Sequence, residues 1–204
     1  MKAPTLILGF DDCHIDEWHS ILDLLQKYDM KATFYISNLE SILVDQWSKL
    51  REIADRGHTI GFHGLNHVRA GYTIEILGEK CFLDTEISPG LEIMDSYGFS
   101  PQHYSYPYGN RSEYSDSILL RIFRTLRTGG KRYFTAEEFE KAELLPGSDM
   151  GKNEECQFGW HEQAILYLKK INKIAVYYMH QPIVWRLEYI GKVTKENGIG
   201  VCGL

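Results

Sequence analysis

The stretch TLILGFDDCH, residues 5–14, sets two carboxylates side by side at the end of an apolar run. Thr5 to Phe10 reads as a buried strand: short, apolar and closed by Asp11 and Asp12. Adjacent carboxylates repel each other when both ionise, so the pair needs a reason to sit there. Carboxyl ends of parallel strands are where α/β folds gather their catalytic groups. Cys13 and His14 follow directly.

Working outward, Trp18, Ile21, Leu22, Leu25 and Tyr28 recur at three- and four-residue steps and predict a helix, with Asp16 as its N-cap. KATFYIS, residues 31–37, predicts a second strand. A second helix follows, with Ile42, Leu43, Trp47, Leu50 and Ile53 on one face. It ends where Gly57 can take the left-handed C′ conformation. HTIGF, residues 58–62, is a third strand leading into HGLNH. Residues 72–97 predict mostly helix, interrupted at Pro89-Gly90. HYSYPYG, residues 103–109, predicts a strand and a turn, and RIFRTLRT, residues 121–128, a strand in its second half. Residues 129–158 predict loops around one or two short strands. A helix over 159–173, the strand KIAVYYMH ending in His180, a helix over Trp185 to Glu196 and a strand in GIGVCGL complete the chain. Strands that alternate with helices imply right-handed βαβ units and a largely parallel sheet, open or closed into a barrel.

The chain has 204 residues, which suits one domain over 1–204. Apolar residues make up 44% and charged residues 25%, ordinary values for a globular protein. The net charge of -6, with scattered Lys and Arg, argues against nucleic acid as partner. No run approaches the ~18 apolar residues of a membrane span. The first residues lack a signal peptide's h-region, so the chain as written is expected in the cytoplasm, or exported if a leader was removed. Cys13, Cys81, Cys156 and Cys202 form no CxxC pair and read as free thiols. Aromatics at 13% serve either a core or sugar stacking.

Three strand ends carry metal- or proton-active groups. Strand one ends in Asp11-Asp12, strand three in His63 with His67 four residues on, and the late strand in His180. An H-x3-H spacing puts two imidazoles on one face where the segment turns, and Gly64 permits a tight turn. Two His and one Asp make a three-ligand site with open positions. One carboxylate of the pair can then hold a cation while the other stays free as a base.

GFDDCH, HGLNH, YSYPYG and VYYMH occur in the order and approximate spacing of the polysaccharide deacetylase family, the NodB-homology carbohydrate esterases. ILDLLQKYDMKATFYIS and LREIADRGHTIGFHGLNH resemble the connecting segments of that family. The resemblance implies a distorted (β/α) barrel, often seven-stranded, and hydrolysis of an N-acetyl or, less often, O-acetyl group on a sugar. It implies Asp11 as general base and Asp12, His63 and His67 as metal ligands. It implies His180 as general acid and the Tyr108 main-chain N–H as an oxyanion donor. Tyr106, Pro107 and Tyr108 would then line the substrate site. The implied cofactor is a divalent metal, Zn²⁺ before Co²⁺, Ni²⁺ or Fe²⁺, and the implied partner is an acetylated saccharide. The oligomeric state stays open.

The chain departs from the family at three points. Ser105 stands where many members carry an Arg that touches the catalytic Asp; Arg124, Arg127 and Arg132 are candidate substitutes. The Asp-Trp motif that orients the catalytic His is not evident, and Asp149 is the candidate in its place. Cys13 replaces a Gly, either as a soft metal neighbour or as a packed thiol, with His14 beside it at the pocket wall or surface. These departures keep two other readings open: a hydrolase of a non-sugar amide or cyclic imide, and a carbohydrate-binding relative without turnover.

Overall fold

A computed structural model of the protein describes residues 2–150 and 158–204. The strands are β1 (Thr5–Asp12), β2 (Thr33–Ile36), β3 (Thr59–Phe62), β4 (His103–Ser105), β5 (Thr125–Gly129), β6 (Tyr133–Phe134), β7 (Leu144–Asp149), β8 (Ile174–Met179) and β9 (Gly200–Cys202). Seven of them close a parallel barrel in the order β1, β2, β3, β4, β5, β7, β8 and back to β1. The fold is thus the distorted (β/α) barrel that the motifs imply.

The other two strands are attached low on the wall. On one edge of β1, β9 pairs with Thr5 to Ile7, and β2 takes over from Gly9 upward. On one edge of β8, antiparallel β6 pairs with Ile174 and Ala175, and β7 takes over from Val176. The seven-strand ring is therefore complete at the carboxyl ends, where the acidic pair lies.

The helices are α1 (Ile15–Ser20), α2 (Leu22–Lys27), α3 (Val44–Asp55), α4 (Ala70–Leu77), α5 (Glu79–Phe82), α6 (Ser88–Ser96), α7 (Glu113–Leu119), α8 (Ala136–Lys141), α9 (Phe158–Ile171) and α10 (Val184–Asn197). A π-helical turn, Leu83–Ile87, joins α5 to α6. No helix among the described residues is long and apolar enough to cross a membrane.

Alternation along β1 explains how one apolar strand serves two interiors. Leu6, Leu8 and Phe10 pack outward into the core shared with Trp18, Leu25 and Phe34. Ile7 joins Leu145, Ile174 and Val176 in a separate, smaller cluster. Above that cluster the lumen is filled by Tyr35, Tyr178 and Arg127, with Gly9 on the wall. Glycines on the wall make room for these large side chains. A Cβ on Gly61 would lie 2.5 Å from the Tyr35 ring, and one on Gly147 3.2 Å from Tyr178 and 3.3 Å from Arg127. Asp11 continues this inward alternation.

Several local expectations need correction. The first helix is two, broken near Ile21, and its cap position is His14. Asp16 lies inside α1, where its carboxylate holds Lys49 and Gln46 of α3 instead of a helix end. Ile42 and Leu43 precede α3, and Leu43 is exposed; Trp47, Leu50 and Ile53 form the buried face. Pro89 does not kink a helix. It follows directly on the π turn within one continuous helical run, and the ladder is altered at that π turn and broken at Gly78. Residues 129–150 contain more order than loops. α8 is capped by Thr135 and Glu138, and β7 runs through Pro146-Gly147 as a barrel strand. Cys13, Cys81 and Cys202 are free thiols, and Cys156 lies outside the described residues.

Candidate functional site

A cavity of about 490 Å³ opens at the carboxyl ends of the strands. Its walls include Asp11, Asp12, His63, His67, His180 and Arg127. Tyr106, Tyr108 and Arg69 line it as well. The barrel thus brings together the acidic pair, both H-x3-H imidazoles and the late-strand histidine.

Backbone conformation aims two of these groups. Asp12 leaves the strand with φ 85° and His67 has φ 57°, both in the left-handed region that non-glycine residues rarely occupy. Asp11 and Asp12 therefore part company within one residue. Asp11 points into the lumen, whereas Asp12 turns across the strand end toward the histidines. Asp12 Oδ1 lies 3.2 Å from His67 Nε2 and 3.5 Å from His63 Nε2, and the two imidazole nitrogens are 3.1 Å apart. Tetrahedral bonds of roughly 2.0–2.1 Å imply ligand separations of roughly 3.3–3.4 Å, so this triangle matches a small divalent cation.

Two further observations favour a cation there. Asp12 Oδ1 is buried and has no hydrogen-bond partner. His63 Nδ1 lies 2.8 Å from the Ser105 carbonyl, which can only accept, so the N–H is on Nδ1 and Nε2 presents a lone pair to the triangle. Asp12, His63 and His67 are the group of metal-ligating side chains found among the described residues.

The other half of the site is an ion pair inside the barrel. Arg127 bonds both Asp11 Oδ2 and the Ser105 hydroxyl, with all three residues buried. Ser105 and Arg127 are register partners on β4 and β5, so a guanidinium sent from the neighbouring strand reaches over the small serine. The cation absent from position 105 is thus supplied one strand away. Its other face lies 3.9 Å from the Tyr178 ring centroid. Burial opposes the Arg127 charge, and Asp11, together with Tyr178 and Tyr35, more than offsets it. Asp11 Oδ1 is buried and keeps no hydrogen-bond partner.

At the rim, the Trp18 indole N–H donates to the His180 carbonyl at 3.0 Å and pins the end of β8. Asp149 ends β7 opposite Tyr178. Tyr106 is buried and donates its hydroxyl to Asp116 at 2.8 Å; Pro107 is also buried. Tyr108 is exposed, with φ 58°, and its ring lies 4.6 Å from the His67 ring. Arg69 covers the Tyr108 ring at 4.3 Å. The Cys13 thiol is pushed up by burial and contacts Asn38, which suits a packed thiol. His14 stands 3.9 Å from the second Asp12 oxygen. Glu86, which no motif singles out, holds the loop between His63 and Val68 by its carboxylate.

Fold and site together define a parallel-barrel protein with a strand-end Asp/His/His cluster beside a buried acid. The sequence model of the polysaccharide deacetylase family matches residues 1–122, and the chain belongs to that family. It is 25% identical over 129 residues to YheN of Bacillus subtilis (strain 168), a polysaccharide deacetylase by designation. That match covers 60% of this chain and 42% of YheN, so the chain spans about two-fifths of this curated relative. The family 4 carbohydrate esterase from Streptomyces lividans, solved in complex with acetate, superposes with a TM-score of 0.66 at 16% identity, over 98% of this chain and 93% of that one. The polysaccharide deacetylase Bc1974 from Bacillus cereus gives 0.63 at 20% identity, over 100% and 92%.

Proposed function

We propose that the protein is a metal-dependent hydrolase that removes N-acetyl groups, or O-acetyl groups, from a saccharide. The observation that carries this reading is the split of the acidic pair within one cavity. Asp12 joins two imidazoles at cation-binding separations, while Asp11 is tied to Arg127 through one oxygen only.

Asp12, His63 and His67 would hold the cation. Once bound, it would act as a Lewis acid on the acyl carbonyl and on the attacking water. Asp11 Oδ1, free of protein partners, is the atom that accepts the water's proton. Arg127 keeps Asp11 oriented and offsets the cost of burying its charge. The Tyr108 main-chain N–H, in a left-handed turn at the cavity wall, is the proposed donor to the developing oxyanion. His180, at the opposite strand end, would donate a proton to the leaving amine, which is a poor leaving group until protonated. The relocated Arg127 also weakens the reading of a binding protein without turnover, which rested on the serine at 105.

The test is acetate release from acetylated glucosamine oligomers by the Zn²⁺- or Co²⁺-loaded protein. Asp11→Asn should abolish release while leaving metal content unchanged. Absence of release from every acetylated glycan, with metal confirmed bound and with cyclic imides hydrolysed instead, would overturn the saccharide assignment.

A further inference from the structure

Glu86 is 2% exposed and lies outside the cavity, on the π-helical turn between α5 and α6. Its carboxylate reaches the loop that carries both histidines. Oε1 accepts from the Asn66 main-chain N–H at 2.9 Å and from the Val68 N–H at 3.4 Å. Oε2 accepts from the Asn66 side-chain amide at 3.0 Å. The carboxylate thus grips the backbone on either side of His67. This loop needs a brace, because Gly64 at φ 85° and His67 at φ 57° are both left-handed. Space is matched to the task as well: a Cβ on Gly64 would lie 2.5 Å from Glu86 Oε1.

Placing a carboxylate in an interior is costly unless donors converge on it. Three donors do so here, and all belong to the segment 66–68. A π turn is uncommon in helices and is found most often at functional sites. In this chain it marks the helix position from which Glu86 serves the loop.

We infer that Glu86 is a positioning residue that sets the metal affinity of the Asp12, His63 and His67 cluster by holding His67 in its left-handed conformation. The inference rests on the reading of that cluster as a metal site. Removing an outer-shell brace of this kind lowers metal affinity by roughly 10–100-fold.

The test titrates Co²⁺ into the metal-free full chain and follows its visible absorption. Wild type should bind one Co²⁺. Glu86→Ala should bind roughly 10–100-fold more weakly and with an altered band shape, measured on protein shown folded by circular dichroism. Glu86→Gln keeps the volume and the Oε1 acceptor, and should recover most of the affinity; if the alanine variant does not fold, Glu86→Asp, whose carboxylate stops one methylene short of the Asn66 and Val68 N–H groups, replaces it and should also bind Co²⁺ more weakly than wild type. A merely structural Glu86 would lower the thermal midpoint of the metal-free protein and leave Co²⁺ affinity and spectrum at wild-type values in both variants. That result would overturn the inference. Failure of wild type to bind Co²⁺ at all would overturn the metal reading itself, and this inference with it.

Discussion

The two walls of the cavity are built on opposite principles. The wall proposed to hold the metal is local and half-open. Asp12, His63 and His67 come from one strand end and one seven-residue loop, and Asp12 and His67 remain partly exposed. The wall of the proposed base is nonlocal and buried. Asp11, Ser105 and Arg127 come from three strands and are each at most 2% exposed. Adjacent aspartates belong to the two walls, so sequence neighbours differ more in environment than residues a hundred positions apart. A barrel makes this possible because one step along a strand end separates lumen from rim.

The comparison breaks if substitutions on the two walls behave alike. The largest effect belongs to the metal wall. His67→Ala or Asp12→Ala should abolish stoichiometric Zn²⁺ or Co²⁺ binding and activity, read by calorimetry and acetate release. The thermal midpoint of the metal-free protein should move little, because these side chains are partly exposed.

On the base wall the order reverses. Arg127→Ala leaves the Asp11 charge buried without its partner and should cost about 3–5 kcal/mol by chemical denaturation. Arg127→Lys should also lose stability, since an ammonium lacks the fork that bonds Asp11 and Ser105 together. Ser105→Arg combined with Arg127→Ser sharpens the point. The guanidinium then starts from the register partner, and the pair should be more stable than Arg127→Ser alone.

A buried neutral group gives a measure outside both walls. His58 accepts a hydrogen bond from the Ala32 N–H on Nδ1, and burial lowers its pKa to about 4. The unfolded chain binds that proton near pH 6.5. The unfolded state therefore holds more protons between these values, and stability should fall as pH drops from about 6.5 toward 4. The loss from His58 is at most about 3 kcal/mol, and His58→Gln should reduce this part of the slope, the remainder coming from His103, which burial also lowers to about 4.

Smallest is Ser105→Ala. It removes one acceptor from a buried guanidinium that keeps Asp11, for about 1.5–3 kcal/mol in the same denaturation assay. Retention of metal binding in this variant would confirm that the walls are separable.

The difference between the walls also sets what can be read from a sequence. The H-x3-H spacing and the strand-end acidic pair are short-range patterns, and they converge as expected. Arg127 could be named only as one of three candidates, because choosing it requires the register of β4 on β5. Glu86 carries no signal of its own: its donors lie some twenty residues upstream, and the π turn that aims it leaves no periodic mark. The same limit applies to β7, where Pro146-Gly147 reads as a turn. Pro146 fits the barrel wall opposite Thr128, and Gly147 makes room for Tyr178 and Arg127. Asp16 shows the converse error, in which a good capping residue is drawn instead to Lys49 on another helix.

The strand pairings of β1 join the two ends of the chain. Its upper edge can zip to β2 as soon as residue 36 is made, but its other edge waits for β8 at residues 174–179. Asp12, His63 and His67 all lie within the first 67 residues, whereas the ring that encloses Asp11 and Arg127 is completed only by β8, one of the last strands in the chain. Contacts that close so long a loop form slowly. The half of the site that reads most easily is the half that is local in sequence, and the other half depends on the closing of the ring.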